Sequence, residues 1–189
     1  MKNIIKILFL ILSILLVSCS KEEKISVIEE ENVEAQMIEA FEIGYEELIN
    51  GDTLYATKKF NEAELLYPQS LWAPKAALMA AYSYYSQSYY PDTIFEIERY
   101  LKTYPKHKNI DYAHFMLAMC YYEIVVDEKR DLEPLLKAEK KFIFIMDNFP
   151  KTDFAMDSKY KLDLIYEKLA AKEMFIANHY LKKDRKSVV

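Results

Sequence analysis

The sequence predicts an all-α solenoid of stacked helical hairpins, and three observations carry that prediction. Apolar-periodic runs close on aromatic–proline pairs, Tyr67-Pro68, Tyr104-Pro105 and Phe149-Pro150, spaced 37 and 45 residues apart, as a helical-hairpin repeat requires. The other three prolines, Pro74, Pro91 and Pro134, stand where new helices begin, a position that tolerates a missing N–H. Only 2 glycines occur in 189 residues, against 16 Tyr, 10 Phe and 8 Met, so phosphate loops, hairpin turns and dinucleotide folds lack their usual residue. A hydrophobic fraction of 52% suffices for one core or a short array of repeats, not for two enzyme domains.

The N-terminus reads as an address. Lys2 and Lys6 precede the run Ile7 to Val17, which as a helix covers only about 17 Å, too short to span a bilayer comfortably. A basic start, a short apolar stretch and small residues after it describe a secretory signal, assigned to residues 1–18. Leu16-Val17-Ser18-Cys19 resembles the lipobox of bacterial lipoproteins. That resemblance implies cleavage before Cys19 and its lipidation; Ser20, standing where Asp would retain a lipoprotein, implies forwarding to the outer membrane. Several acyl chains give stable anchoring where one gives only reversible binding. Cys120 is then the only cysteine left, so no internal disulfide is expected, and its apolar surroundings predict a buried, inert thiol. Residues 19–36, with Lys21-Glu22-Glu23-Lys24 and Glu29-Glu30-Glu31, read as the lipidated cysteine and a solvated tether.

From residue 37 to 183 the aromatic–proline frame exposes a finer register. Ala56, Phe60, Ala63 and Pro68 have the offsets of the second helix of a tetratricopeptide repeat, and Ala138, Phe142, Ile145 and Pro150 reproduce them. Thr93, Ile97, Tyr100 and Pro105 hold the same frame with larger side chains. In the first helices the small residue that admits a close neighbour is Gly44, Ala81 and Ala118, with Tyr84 and Tyr121 three residues beyond the latter two and Glu47 departing in the first repeat. The longer gap before Ala138 predicts an inserted loop at Asp127 to Asp131. Three repeats and a further helix from Asp153 to about Ala171 account for the domain.

In such repeats the positions next to the packing residues line a concave groove. The register places Ile38, Phe41, Tyr45 and Leu48, then Lys75, Leu78, Tyr82 and Tyr85, then Tyr112, Phe115, Met119 and Tyr122 along it. Tyr, Phe and Met offer large, adaptable contact area suited to peptide segments rich in aromatic residues. The same spacing is equally what a row of core residues shows.

Catalytic chemistry is not indicated. His107, His114 and His179 lack a third ligand at metal spacing, and no His-Glu-x-x-His, Cys-x-x-Cys or Gly-x-Ser-x-Gly occurs. No catalytic residue, metal or cofactor is therefore expected. A formal charge of −5 gives no basic footprint for nucleic acid.

The junction Tyr104-Pro105-Lys106-His107-Lys108-Asn109-Ile110-Asp111-Tyr112 resembles that of the BamD family of outer-membrane assembly lipoproteins, with Lys108 at a position usually held by proline. Cys19, the tyrosine-rich Ala81 to Tyr85 and Arg130-Asp131 before the second helix of the third repeat extend the resemblance over roughly residues 30 to 183. It implies a non-enzymatic subunit of the machinery that folds β-barrel proteins into the outer membrane, lipid-anchored and facing the periplasm. Its N-terminal repeats would receive the aromatic-ending C-terminal signal of unfolded barrel proteins, and its later repeats would hold the periplasmic POTRA region of BamA among the other Bam lipoproteins. The resemblance directs the substrate groove to Trp72, Tyr82, Tyr85, Tyr112 and Phe115, to which the register adds Leu78, Met119 and Tyr122; Trp72, in the Pro68-to-Pro74 connection, equally suits a staple between the two hairpins. It also implies about five repeats, so the chain is expected to stop early in a further hairpin, with residues 184–189 a non-native tail. The alternative reading is another envelope repeat lipoprotein, of the pilotin or cell-division coordinator type.

Overall fold

The computed structural model describes residues 30–125 and 132–186. Among them are seven helices: α1 Glu30–Asn50, α2 Thr53–Leu66, α3 Ala73–Ser86, α4 Tyr90–Thr103, α5 Ile110–Glu123, α6 Glu133–Asn148 and α7 Asp153–Lys186. No strand occurs among the described residues, and no described helix is long and apolar enough to cross a membrane.

Each helix boundary has a local cause. α1 stops at Gly51, whose φ of +88° closes the helix with Gly51 N–H donating to the Leu48 carbonyl at 3.3 Å and Asp52 N–H to that of Glu47 at 3.0 Å. Asp52 then starts α2 by accepting from Tyr55 N–H at 3.0 Å. Ser70 Oγ accepts from Ala73 N–H at 3.0 Å at the head of α3. Pro74, Pro91 and Pro134 all fall in the first turn of a helix. Tyr104 and Phe149 close α4 and α6 by donating N–H to Tyr100 and Ile145 at 2.8 Å, and the following prolines prevent continuation.

The repeat register holds throughout the core. All nine second-helix positions, Ala56, Phe60, Ala63, Thr93, Ile97, Tyr100, Ala138, Phe142 and Ile145, are completely buried. Three apolar clusters form in chain order: α1–α2–α3 around Phe60, α3–α4–α5 around Tyr100, and α5–α6–α7 around Phe142. Consecutive clusters share a helix, because α3 gives Ala76 and Ala80 to one and Ala77 and Ala81 to the next, while α5 gives Leu117 to one and Ala118 to the next. That is nearest-neighbour stacking, in which each hairpin buries itself against the last. Gly44 marks the tightest approach, since a Cβ there would sit 3.0 Å from the Phe60 ring.

A polar joint ties the first two repeats. The Arg99 guanidinium donates to both Glu64 oxygens at 2.7 and 2.8 Å and through Nε to Glu96 at 2.9 Å. Tyr104 Oη donates to Glu64 Oε1 at 2.7 Å. A bidentate, charge-assisted pair fixes geometry as well as adding energy.

Two boundaries differ from expectation. α1 begins at Glu30, inside the stretch assigned to the tether, because acidic residues at a helix N-terminus are favoured by its dipole rather than excluded from the helix. α7 runs unbroken to Lys186, where an end near Ala171 and a new hairpin were expected; residues 170–183 hold no Gly or Pro to stop it. Its last fully buried side chain is Ile165. The signal segment, Cys19 and the inserted loop at Asp127 to Asp131 lie outside the described residues.

Candidate functional site

The expected groove positions are carried by α1, α3 and α5, and the start of α7 packs against those of α5. Trp72 immediately precedes α3 and stacks edge-to-face on Phe41 of α1, with ring centres 5.2 Å apart. These rings, with Ile38, Tyr45, Ile49 and Met79, wall a cavity of about 520 Å³ that Glu42 and Glu46 also line. A second cavity of about 300 Å³ lies between α3 and α5, lined by Leu78, Met79, Tyr82, Asn109 and Tyr112. Lys75 and Met79 line both cavities, so the two form one groove with Lys75 at the junction.

The expected groove residues separate into two sets. Trp72 and Tyr82 are 37% and 38% exposed and line the open cavities, and half-buried Tyr112 joins Tyr82 in the second. Burial pushes the Tyr112 hydroxyl up to about 12, leaving it a neutral donor and acceptor at neutral pH. Leu78 reaches the second cavity but is largely buried in the α3–α4–α5 cluster, against which Tyr85 also packs. Tyr85 stacks on Tyr90 at 6.1 Å, and its hydroxyl is likewise pushed up to about 12 by burial.

Phe115, Met119 and Tyr122 belong to the packed set. Phe115 meets Phe142 at 5.9 Å and Phe154 at 5.2 Å. Met119 packs against the α5–α6–α7 cluster, and Tyr122 is buried within it, its ring covered by the Lys161 and Lys168 ammonium groups at 4.6 and 4.2 Å. The structure thus gathers Trp72, Leu78, Tyr82 and Tyr112 around open space and turns the other four into packing. Met79, Ile49 and Asn109 line the cavities without having been expected. Met79 and Ile49 each follow a groove-register residue by one position, a rotation of about 100° that puts them on the rim.

The remaining reactive groups are structural. Tyr100 Oη of α4 and His107 Nδ1 of the junction motif are hydrogen-bonded at 2.6 Å. Cys120 is completely buried and its thiol is pushed up to about 12 by burial, which leaves no thiolate for chemistry. Among the described residues no group of His, Cys, Asp and Glu is placed to hold a metal ion.

With this geometry in hand, comparison with known proteins is decisive. The profile of the YfiO family, described as outer membrane lipoprotein, matches residues 33–189. The chain belongs to this YfiO family. Relatives named outer membrane protein assembly factor BamD include one from Caulobacter vibrioides, 32% identical over 142 residues, covering 75% of this chain and 47% of the relative. Another, from Rickettsia prowazekii, is 31% identical over 128 residues, covering 68% and 51%. A third, from Pasteurella multocida, is 25% identical over 156 residues, covering 77% and 60%. The chain spans about half the length of the first two of these curated relatives. Membership of the YfiO family accords with the all-α repeat fold, and the relatives are named for assembly rather than for a catalysed reaction.

Proposed function

We propose that this protein is a non-enzymatic, lipid-anchored subunit of the outer-membrane β-barrel assembly machinery. On this reading Cys19 carries the acyl chains that hold it to the inner leaflet of the outer membrane, and the repeat domain faces the periplasm. Its groove receives the aromatic-ended C-terminal signal of unfolded barrel proteins, and the protein works beside BamA, through the periplasmic POTRA region, and the other Bam lipoproteins. The observation that carries the reading is the pair of open cavities joined at Lys75 and Met79 and walled by Phe41, Trp72, Tyr82 and Tyr112. An extended chain presents every second side chain to one face, so it can seat successive aromatic residues in such cavities while the tyrosine hydroxyls meet its polar groups.

The test is photocrosslinking in the envelope with a crosslinking amino acid at Tyr82 and, as an exposed control outside the groove, at Phe95 of α4, which is 69% exposed but lines neither cavity. The expected result is capture of unfolded barrel proteins from Tyr82 and not from Phe95. Capture of a secretin or of division proteins from Tyr82 would replace this reading with another envelope scaffold. Replacing Cys19 by Ala should also release the chain from the outer-membrane fraction.

A further inference from the structure

Lys75 is the residue at which the two cavities meet. Its ammonium lies 4.5 Å from the centre of the Trp72 ring and 4.9 Å from that of Phe41, and cation–π attraction holds it over both faces. The other basic side chains of the first two repeats that are held this closely are neutralised: Lys59 pairs with Glu62, and Arg99 with Glu64 and Glu96. Among the described residues no carboxylate lies within ion-pair distance of Lys75. A positioned, uncompensated cation in an apolar groove is an anion receptor whose ordering cost is already met in the free protein.

We propose that Lys75 recognises the free C-terminal carboxylate of the bound peptide, so that the groove reads a chain end and not merely an aromatic segment. This rests on the reading of the groove as a peptide site. A chain end fits better than an internal acidic residue for two reasons. The ring and the α-carboxylate of a terminal aromatic residue are separated only by Cα and Cβ, so a ring seated beside Phe41 and Trp72 brings its own carboxylate to Lys75. Glu42 and Glu46 also line the first cavity; a chain that ends at Lys75 and runs back along the second cavity toward Tyr82 and Tyr112 brings a single carboxylate, met by the cation, whereas a continuing acidic segment would enter a cavity lined by like charge.

Trp72 is the only tryptophan, so its emission reports occupancy of the first cavity directly. The full chain in detergent is titrated with a decapeptide of alternating apolar and polar residues ending in Phe, as the free acid, as the C-terminal amide, and as an amide carrying an internal Asp. Tighter binding of the free acid, by about tenfold as for one charge-assisted hydrogen bond, is expected. Lys75→Met should abolish that preference and Lys75→Arg should retain it, with unchanged helicity in both. Equal affinity for acid and amide would overturn the proposal while leaving the groove in place. Equal affinity for the acid and the internal-Asp amide would overturn it in favour of a side-chain carboxylate. Absence of binding by all three would sink the groove reading together with this one.

Discussion

The two halves of the expected groove share one register and end differently. In the first half, Lys75 and Leu78 border an open cavity; in the second, Tyr112 and Phe115, at the equivalent positions, close on Phe154. The cause lies across the groove. The second residue of α7 is Phe154, which fills the space between Tyr112 and Phe115 at 5.5 and 5.2 Å. The second residue of α5 is Asp111, which supplies no ring, and the space beside Lys75 and Leu78 stays open. A register position is therefore groove or core according to what the next helix brings to it.

The largest expected effect breaks the packed half. Phe115→Ala removes a ring held by Phe142 and Phe154, at about 3 kcal/mol, and should lower the melting temperature by roughly 10 °C. Tyr82→Ala removes a ring that is more than one-third exposed, and should cost less than about 1 kcal/mol while weakening peptide binding. Thermal melts of the two variants side by side decide this; equal losses would erase the distinction between the halves. Tyr85→Ala, three residues along the same helix but packed against Tyr90 and the core, should behave like Phe115→Ala and not like Tyr82→Ala.

A smaller loss should follow from unfastening the two repeats that carry the open half. Arg99→Ala leaves Glu64, almost wholly buried, and Glu96 without their cation. Breaking a buried pair from one side costs several kcal/mol, and partial exposure of the guanidinium screens it to about 2. Urea melts should show a lower midpoint with little change in slope. Arg99→Lys should recover only part of it, because an ammonium cannot engage both Glu64 oxygens in the same fork.

These contrasts explain how far the sequence could be read. The nine second-helix positions were legible because each must be small or fill a fixed gap, and proline spacing fixes the frame. The groove positions were legible as a row, but whether Leu78 or Phe115 borders open space depends on Asp111 and Phe154, residues outside that row. Tyr85 and Tyr122, expected along the groove, are covered by Tyr90 of α4 and by Lys161 and Lys168 of α7, partners that also lie outside the row. The start of α1 at Glu30 was hidden because a run of glutamates reads equally as solvated coil or as a favoured helix N-terminus. The reach of α7 was hidden because the repeat period calls for a turn and a new hairpin after about Ala171, whereas residues 170–183 hold no Gly or Pro to end the helix.

Gly44 sharpens the comparison within the first repeat, where Ala81 and Ala118 hold the equivalent place. Gly44→Ala adds a methyl 3.0 Å from the Phe60 ring and 3.2 Å from the Ala56 carbonyl oxygen. Overpacking of this kind costs about 1–3 kcal/mol, and the better helix propensity of alanine returns about 1. The net loss should be about 1 kcal/mol, read as a small fall in melting temperature. A stabilised variant would mean that α1 shifts freely on α2, and that the first cavity is less fixed than its ring contacts indicate.

The smallest effect concerns the packed half and acid. His114 of α5 stacks on Phe144 of α6 and on Phe149 just beyond its end, at 4.7 and 5.9 Å between ring centres, with its Nδ1 buried and unpartnered. Burial lowers its pKa below the ordinary histidine value, Lys141 of α6 lowers it further, and Asp111 partly offsets both. The unfolded chain therefore takes up a proton more readily than the folded one as pH falls below about 6.5, so this contribution to stability is present above that pH and is lost below it. The wild-type melting temperature should fall between about pH 7.5 and 5.5. His114→Phe keeps the ring contacts and removes the proton site, so its fall over the same interval should be smaller. His107, also lowered by burial and by Lys108, remains in that variant and keeps part of the slope. An identical fall in the variant would show that His114 takes no part in the acid sensitivity, and that the third repeat is held by packing alone.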